Sequence, residues 1–342
     1  MNVRLKILLS KILFPIPLRH FQNYLRIKLI IPCWHLISDD NSEHFYFNSS
    51  IKNLRSFIDD LDYFLRHYTP VELDDIINHL NGTKLLKKNS FMPTFDDGFR
   101  EVHDIIAPAL FKKGIKSIFF ITTSCVDNKE LLYPHKMRLL ISYVNSFTDK
   151  KKINEVNCLL LQNQVPGINI VDRLKRISYN KRRLLDRVAE ILGLDFSQYL
   201  VKKQPYLTTN QIRKLLKEGF EIGSHSIDHP RFQEISLEEQ IRQVKESTDW
   251  LSNTFNFNCR AFAFPFADDN VSSEFYDIIS KITTIRLTMG KWGFLTKNNL
   301  KNVPRLLMES DIPKARDLIQ YELVRFFFKN YIRISLKHTN FL

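Results

Sequence analysis

Short apolar segments alternate with amphipathic helical segments along most of this chain, and this alternation is the strongest constraint on its fold. Residues 29–35, 91–95 and 118–122 are typical of buried β-strands, and 51–68 repeats apolar residues at the three-and-four spacing of a helix. The pattern resumes with a short strand at 220–222. Such alternation predicts parallel strands joined by helices, in a sheet or a barrel, with chemistry at the carboxyl ends of the strands.

A long stretch without strand signal interrupts this pattern. Residues 127–204 are rich in Leu, Lys, Arg and Asn in helical patterns, which predicts a helical insertion. We therefore expect a basic N-terminal segment at 1–28, a main domain at 29–310 that contains this insertion, and a C-terminal helix and basic tail at 311–342. Further predicted elements are helices at 73–80 and 102–113, a helix from Thr208 or Thr209 to Gly219, a helix at 236–255, a strand at 261–264, weak strands near Ile285 and Val303, and a helix at 314–328.

The chain is basic, with 50 Lys+Arg against 37 Asp+Glu and a formal net charge of +13. This charge favours anionic partners such as phospholipid, lipid-linked phosphate or nucleic acid, although a composition bias toward Lys, Asn, Ile and Phe explains it equally well. No basic stripe interleaved with aromatic residues and no nucleic-acid-binding motif is present, so we do not expect a nucleic-acid partner.

The N-terminal segment mixes basic residues with short apolar runs, none of which reaches the ~18 residues of a membrane span. The most apolar run, 7–15, contains Lys11 and is not followed by a small-residue cleavage site, which argues against a signal peptide. The segment either packs against the domain or lies on an anionic membrane surface. The four cysteines have no close-paired spacing and are expected to be free thiols. We expect a cytoplasmic or peripheral membrane protein.

Two polar motifs follow predicted strands. Asp96 and Asp97 come directly after the strand at 91–95, and adjacent carboxylates there leave the backbone in opposite directions, so that one can bind metal while the other handles protons. His225 and His229 follow the strand at 220–222 and can converge on one ion. Either motif alone is equally typical of an ordinary turn. Together, at strand ends of an alternating chain, they predict a facial metal triad with open positions, the chemistry of a metal-assisted amide hydrolase.

Thr94-Phe95-Asp96-Asp97-Gly98 and His225-Ser-Ile-Asp-His229-Pro230 resemble the first two motifs of the polysaccharide deacetylases, the NodB-homology domain or carbohydrate esterase family 4. The resemblance covers roughly 29–126 and 205–308 and is nearest to the poly-N-acetylglucosamine deacetylase branch. It implies a deformed (β/α)7 barrel, an α/β fold, here with the helical insertion. It also implies Asp96 as catalytic base, Asp97, His225 and His229 as metal ligands, and a divalent ion such as zinc.

The third motif of the family resembles Ala263-Phe264-Pro265-Phe266-Ala267, with Ala267 where the family has Gly. The resemblance implies that the backbone N–H of Phe266 helps to hold the oxyanion. The arginine that tethers the catalytic Asp in one form of this motif is missing at position 263. We predict Arg305 as its substitute, against the alternative of a surface charge.

The general acid is less clearly marked. The only Leu-x-His that matches the family's usual acid motif is Leu336-Lys337-His338, in the basic tail. Cys33-Trp34-His35-Leu36 resembles the early segment whose His serves as the acid in the poly-N-acetylglucosamine deacetylase branch, so His35 is the predicted acid. His103 and His135 are expected to be ordinary surface or hydrogen-bonded histidines.

The expected reaction is removal of an N-acetyl group from an amino sugar of a glycan. Two alternatives stay open: a deformylase or deacetylase of a lipid-linked amino sugar, and a sugar-binding homologue without activity. Trp34, Phe99, Phe266 and Trp292 are candidates for stacking on a sugar, although aromatic residues are more often core. Substrate and acyl group are not marked in the sequence.

Overall fold

Seven parallel strands close into a barrel in the computed structural model. The model describes residues 18–40, 51–146, 148–295, 302–309 and 314–338, with the backbone alone for residues 18, 19, 21, 291, 292 and 330–338. The strands are β1 Leu29–Ile30, β2 Pro32–Trp34, β3 Thr69–Pro70, β4 Ser90–Phe91, β5 Thr94–Phe95, β6 Ile118–Ile121, β7 Glu221–Ser224, β8 Ala261–Ala263, β9 Leu287–Trp292 and β10 Asn302–Leu307. The barrel order is β10-β2-β5-β6-β7-β8-β9, and the strands near Ile285 and Val303 are thus β9 and β10. The predicted (β/α)7 barrel is confirmed.

Helices surround the barrel. The α-helices are α1 Leu18–Tyr24, α2 Leu54–His67, α3 Leu73–Leu80, α4 Ala107–Lys112, α5 Tyr133–Ser146, α6 Lys150–Gln162, α7 Ile170–Lys175, α8 Arg183–Leu192, α9 Phe196–Lys203, α10 Thr209–Lys217, α11 Leu237–Phe255, α12 Ser273–Ile282 and α13 Ala315–His338. Asn53, Thr208 and Ser236 cap α2, α10 and α11 by accepting a backbone N–H of the first turn.

Two predicted strands are each split in two. The segment 29–35 forms β1 and β2, and 91–95 forms β4 and β5 with Pro93 between them. Proline has no N–H for a strand ladder, and the chain bends there. The first halves pair with β3 in a separate parallel sheet of order β1-β4-β3, and the second halves enter the barrel. Each of these segments therefore leads from the small sheet into the barrel and ends at the polar residues beyond it.

Two helices differ from prediction. The helix expected at 102–113 is a π-helical turn, Val102–Ile106, followed by α4. Pro108 has no N–H to donate to the carbonyl four residues back. The N–H of Ala107 bonds to the carbonyl of Val102, five residues back, as in a π-helix. The last helix was expected to end at residue 328 and runs to His338, because no Gly or Pro interrupts 315–338.

The insertion is helical, as predicted. It contains helices α5 to α9 and a short 3-10 helix at Tyr179–Lys181, and its described residues contain no strand. Buried side chains from these helices, including Leu140, Leu160 and Leu185, form an apolar cluster of their own. Phe266, from the loop after β8, packs against the same cluster, so the insertion contacts the carboxyl end of the barrel.

Alternate strand residues face two sides. Ile118, Phe120 and Met289 fill the barrel, while Phe119 and Phe262 pack outward against the helices. The four cysteines are free thiols, as expected, with Cys158 alone exposed. Most of the predicted basic N-terminal segment lies outside the described residues. Among the helices that the structure describes, none combines the length and apolar character needed to cross a bilayer.

Candidate active site

The carboxyl ends of three barrel strands bring the polar motifs together. His35 follows β2, Asp96 and Asp97 follow β5, and His225 follows β7. All of these side chains are buried. Because β2, β5, β6 and β7 are parallel neighbours, their ends meet at one rim of the barrel.

Asp97, His225 and His229 form one cluster, with a ligand atom from each lying within 4.8 Å of the others. The Oδ1 atom of Asp97 is 3.4 Å from Nε2 of His225 and 3.2 Å from Nε2 of His229. Nδ1 of His225 donates to the carbonyl of Ala263 at 2.8 Å, which leaves the Nε2 lone pair directed at the cluster. Asp97 and His229 have left-handed backbone with φ of 70° and 64°, a conformation that non-glycine residues adopt rarely and often at functional sites.

The donor set of this cluster fits a divalent cation. Oδ1 of Asp97 is buried without a hydrogen-bond partner. Burial would raise the pKa of Asp97, but its histidine neighbours, His229 foremost, hold it well below the usual range. Burial lowers the pKa of His229, which favours the neutral ring. A carboxylate and two imidazoles are ligands that suit a transition-metal ion such as Zn²⁺.

Asp96 is held by Arg305 of β10. Nη1 and Nη2 of the guanidinium donate to Oδ1 and Oδ2 at 2.6 and 2.7 Å, in a bidentate pair that is buried on both sides. Burial would raise the pKa of Asp96, but the charges of Arg305 and His225 lower it. Oδ2 is also 3.9 Å from Nε2 of His225, so Asp96 borders the Asp97–His225–His229 cluster. The predicted contact between Arg305 and Asp96 is present, and Arg305 is not a surface charge.

His35 is paired with Glu309, a residue that the sequence analysis missed. Nδ1 of His35 lies 2.7 Å from Oε2 of Glu309, while Oε1 accepts the backbone N–H groups of His35 and of Leu36, the latter at 3.0 Å. Burial alone would lower the pKa of His35, but the charge and hydrogen bond of Glu309 outweigh it and raise the pKa to about 9. Nε2 faces Oδ2 of Asp96 at 3.9 Å. The only sequence signal for Glu309 is an acidic residue just beyond a weak strand.

Phe266 lies at the third motif with a left-handed φ of 60°. Its ring packs on His229 at a centroid distance of 4.7 Å, and the Arg231 guanidinium lies 3.9 Å from the ring centre. Ala267 is not among the described residues with positive φ, so this position does not need the glycine that the family has there.

The prediction of sugar stacking is wrong for two of the four aromatic residues. Trp34 and Phe99 are fully buried in the core and cannot contact a substrate. The side chain of Trp292 and the side chains of Leu336-Lys337-His338 lie outside the described part of the chain. His103 is an ordinary histidine beside Asp104, as expected.

His135 is a hydrogen-bonded histidine, as expected, with Nδ1 2.6 Å from the Tyr206 hydroxyl, but it also borders the cluster. It is buried on α5 of the insertion, with Nε2 3.7 Å from Oδ2 of Asp97. A second contact from the insertion reaches the loop between the two histidines of the cluster: the Tyr179 hydroxyl lies 2.7 and 2.6 Å from the two carboxylate oxygens of Asp228. Neither insertion residue belongs to a motif, and helical periodicity carries no signal for such contacts.

Comparisons with known proteins agree with this geometry. The family model described as polysaccharide deacetylase matches residues 172–282, which include both histidines of the cluster and the third motif. The match begins inside the insertion and does not reach the Asp pair, in contrast to the resemblance expected at 29–126 and 205–308. A search of curated proteins finds no match.

Solved structures resemble the whole barrel. The deacetylase PplD of Streptococcus pyogenes, in complex with acetate, has 16% identity and a TM-score of 0.57, covering 86% of this chain and 98% of its own. IcaB from Ammonifex degensii has 15% identity and a TM-score of 0.54, covering 86% and 97%. A de-N-acetylase from Aggregatibacter actinomycetemcomitans has 15% identity and a TM-score of 0.51, covering 83% and 95%. At these identities the likeness concerns the fold.

The barrel, its polar rim and the family match define a hydrolase that acts on carbon–nitrogen bonds other than peptide bonds. Within that class, the resemblance to the polysaccharide deacetylases is confirmed.

Proposed function

We propose that this protein is a metal-dependent deacetylase that hydrolyses the N-acetyl amide of an amino sugar in a glycan. The observation that carries the proposal is the convergence of an acid–base pair on the Asp97–His225–His229 cluster. Asp96 lies 3.9 Å from His225 on one side and 3.9 Å from His35 on the other. The acetyl group is favoured because the similar structures include a deacetylase bound to acetate and a de-N-acetylase.

Asp97, His225 and His229 would hold the metal, and zinc suits one carboxylate and two imidazoles. A divalent ion bound there lowers the pKa of water toward ~7 and polarises the amide carbonyl. The protein contributes a buried setting, in which charged and polar groups act more strongly than in water.

Asp96 serves as the general base. Arg305 engages both of its oxygens and keeps the carboxylate ionised and fixed in orientation. The carboxylate accepts a proton from the attacking water. The backbone N–H of Phe266 donates to the oxyanion that forms when the carbonyl is attacked, and the left-handed backbone at this residue sets the direction of that N–H.

His35 serves as the general acid. Its pKa of about 9 keeps the ring protonated near neutral pH, and Glu309 fixes Nδ1 so that Nε2 faces the reaction space. Nε2 gives its proton to the leaving nitrogen as the carbon–nitrogen bond breaks. The products are acetate and a free amino sugar. A binding protein without activity would have no use for this pair of opposed proton carriers.

The test is the release of acetate and formate from a panel of N-acylated glycans and lipid-linked amino sugars, with metal content measured on the same samples. We expect Asp96→Asn to retain metal and lose at least two orders of magnitude in turnover, and His225→Ala to lose both. Undiminished release by Asp96→Asn would contradict the assignment of the base. Release from lipid-linked sugars alone would favour the alternative substrate, and contact with an anionic membrane stays a prediction.

A further inference from the structure

His135 lies behind the Asp97–His225–His229 cluster, on the side opposite the two histidines. Its ring is 2% exposed and packs against both Phe99 and Tyr206, at centroid distances of 5.1 and 5.8 Å. Nε2 points at Oδ2 of Asp97 at 3.7 Å, while Oδ1 of the same carboxylate faces His225 and His229. The two oxygens of Asp97 thus have different neighbours.

The hydrogen bonds of Tyr206 define which nitrogen of His135 carries the proton. The Tyr206 hydroxyl oxygen accepts the backbone N–H of Leu132 at 3.1 Å and lies 2.6 Å from Nδ1 of His135. Burial raises the pKa of Tyr206 well above its usual value, so the hydroxyl keeps its proton. The buried hydroxyl proton needs an acceptor, and it faces Nδ1 of His135 at 2.6 Å, so we assign Nδ1 as the acceptor. A neutral His135 ring then has its N–H at Nε2, directed at Asp97.

We propose that His135 is a positioning residue for the metal site: it holds Oδ2 of Asp97 and thereby turns Oδ1 toward His225 and His229. The inference rests on the proposed function, because it concerns the same metal. It assigns a role to the helical insertion, since α5 supplies a residue that supports a ligand from the barrel. Residues that orient a metal ligand in this way are worth about 10- to 100-fold in metal affinity.

Two substitutions at His135 distinguish the effect of its N–H donor from the effect of its ring packing. His135→Phe keeps an aromatic ring packed against Phe99 and Tyr206 and removes the N–H. His135→Gln loses the ring and keeps an amide donor close to the position of Nε2. Titration of metal-free protein with Zn²⁺ by calorimetry gives the affinity, and the absorption bands of bound Co²⁺ report the geometry of the site. His103→Phe is the matched control, because His103 is a partly exposed histidine that contacts Asp104 and not the cluster.

We expect His135→Phe to weaken Zn²⁺ binding about 10- to 100-fold and to alter the Co²⁺ spectrum, with His135→Gln closer to the wild type. Wild-type affinity in His135→Phe would overturn the inference and leave the proposed function standing. Equal losses in Phe and Gln variants, together with a lowered Tm, would also overturn it, because they would mark a packing role. A wild type that binds no Zn²⁺ would instead contradict the proposed function itself.

Discussion

Replacing Glu309 with glutamine should shift the basic limb of the pH–activity profile to lower pH, by about two pH units or more. In the wild type, burial would lower the pKa of His35, and Glu309 raises it to about 9. Glutamine has the same shape, and its carbonyl can still accept the backbone N–H of Leu36 that Glu309 binds. It has no charge to oppose the effect of burial. The pKa of His35 is then expected to fall to near its ordinary value of 6.5, because Asp97 and Asp96 still raise it against burial.

The size of the effect follows from the protonated fraction of His35. With a pKa of about 9, roughly 97% of the ring is protonated at pH 7.5, and with a pKa of 6.5 roughly 10% is protonated. The acid-competent population therefore falls about tenfold at pH 7.5. At pH 8.5 the same two pKa values give fractions of roughly 76% and 1%, a loss of about 75-fold.

The assay is kcat/KM as a function of pH between about 5 and 10, because this ratio reports the ionisation of the free enzyme. Glu309→Asp keeps the charge with a shorter reach and should retain part of the high basic limb. Glu322→Gln, which alters a pair with Arg325 on the last helix, is the surface control. A basic limb that stays near pH 9 in Glu309→Gln, with an unchanged rate, would refute the assignment of His35 as an acid tuned by Glu309.

Three further predictions concern other parts of the site. Arg305→Gln should move the acid limb of the kcat/KM profile to higher pH, because only the neighbouring histidines then oppose the effect of burial on the pKa of Asp96. It should also cost about 3–5 kcal/mol in urea unfolding; adding Asp96→Asn should restore stability without activity, and a failure to restore it would contradict the pairing argument. Tyr179→Phe should weaken Zn²⁺ binding several-fold in titration, because Asp228 loses the hydroxyl that lies within hydrogen-bond distance of both its oxygens; an unchanged affinity would separate this contact from the metal site. Ala267→Gly should leave turnover within about twofold and lower Tm slightly, because the backbone there does not require glycine; a large gain in activity would show that the alanine impairs the site.

The fold could be predicted because its main signal is local. Alternating strands and helices imply parallel strands, and parallel strands place their carboxyl ends together. Asp97 and His225 are about 130 positions apart and were expected to meet for this reason alone. The contact of Arg305 with Asp96 was predicted because the third motif lacks its usual arginine and a substitute was needed.

Glu309 and His135 could not be predicted because their roles depend on how distant parts dock. Glu309 is 274 positions from His35, and its carboxylate reaches the ring only once β10 lies beside β2. His135 depends on the packing of the insertion against the barrel, which helical periodicity does not encode. For Trp34 the error was the reverse, because a contact with substrate was predicted where there is none. Trp34 precedes a predicted site residue, yet its ring packs outward on Phe57 and Phe95 at centroid distances of 5.4 and 5.5 Å.

Strand β10 closes the barrel between β2 and β9, and it also carries Arg305, with Glu309 two residues beyond its end. Every proposed metal ligand is synthesised before this strand, and both partners of the proposed proton carriers come with it or after it. A nascent chain that has emerged only as far as β9 therefore has its metal ligands without an aligned base and acid. Docking of β10 against β2 and β9 therefore completes the barrel and the pairing of the proposed base and acid together.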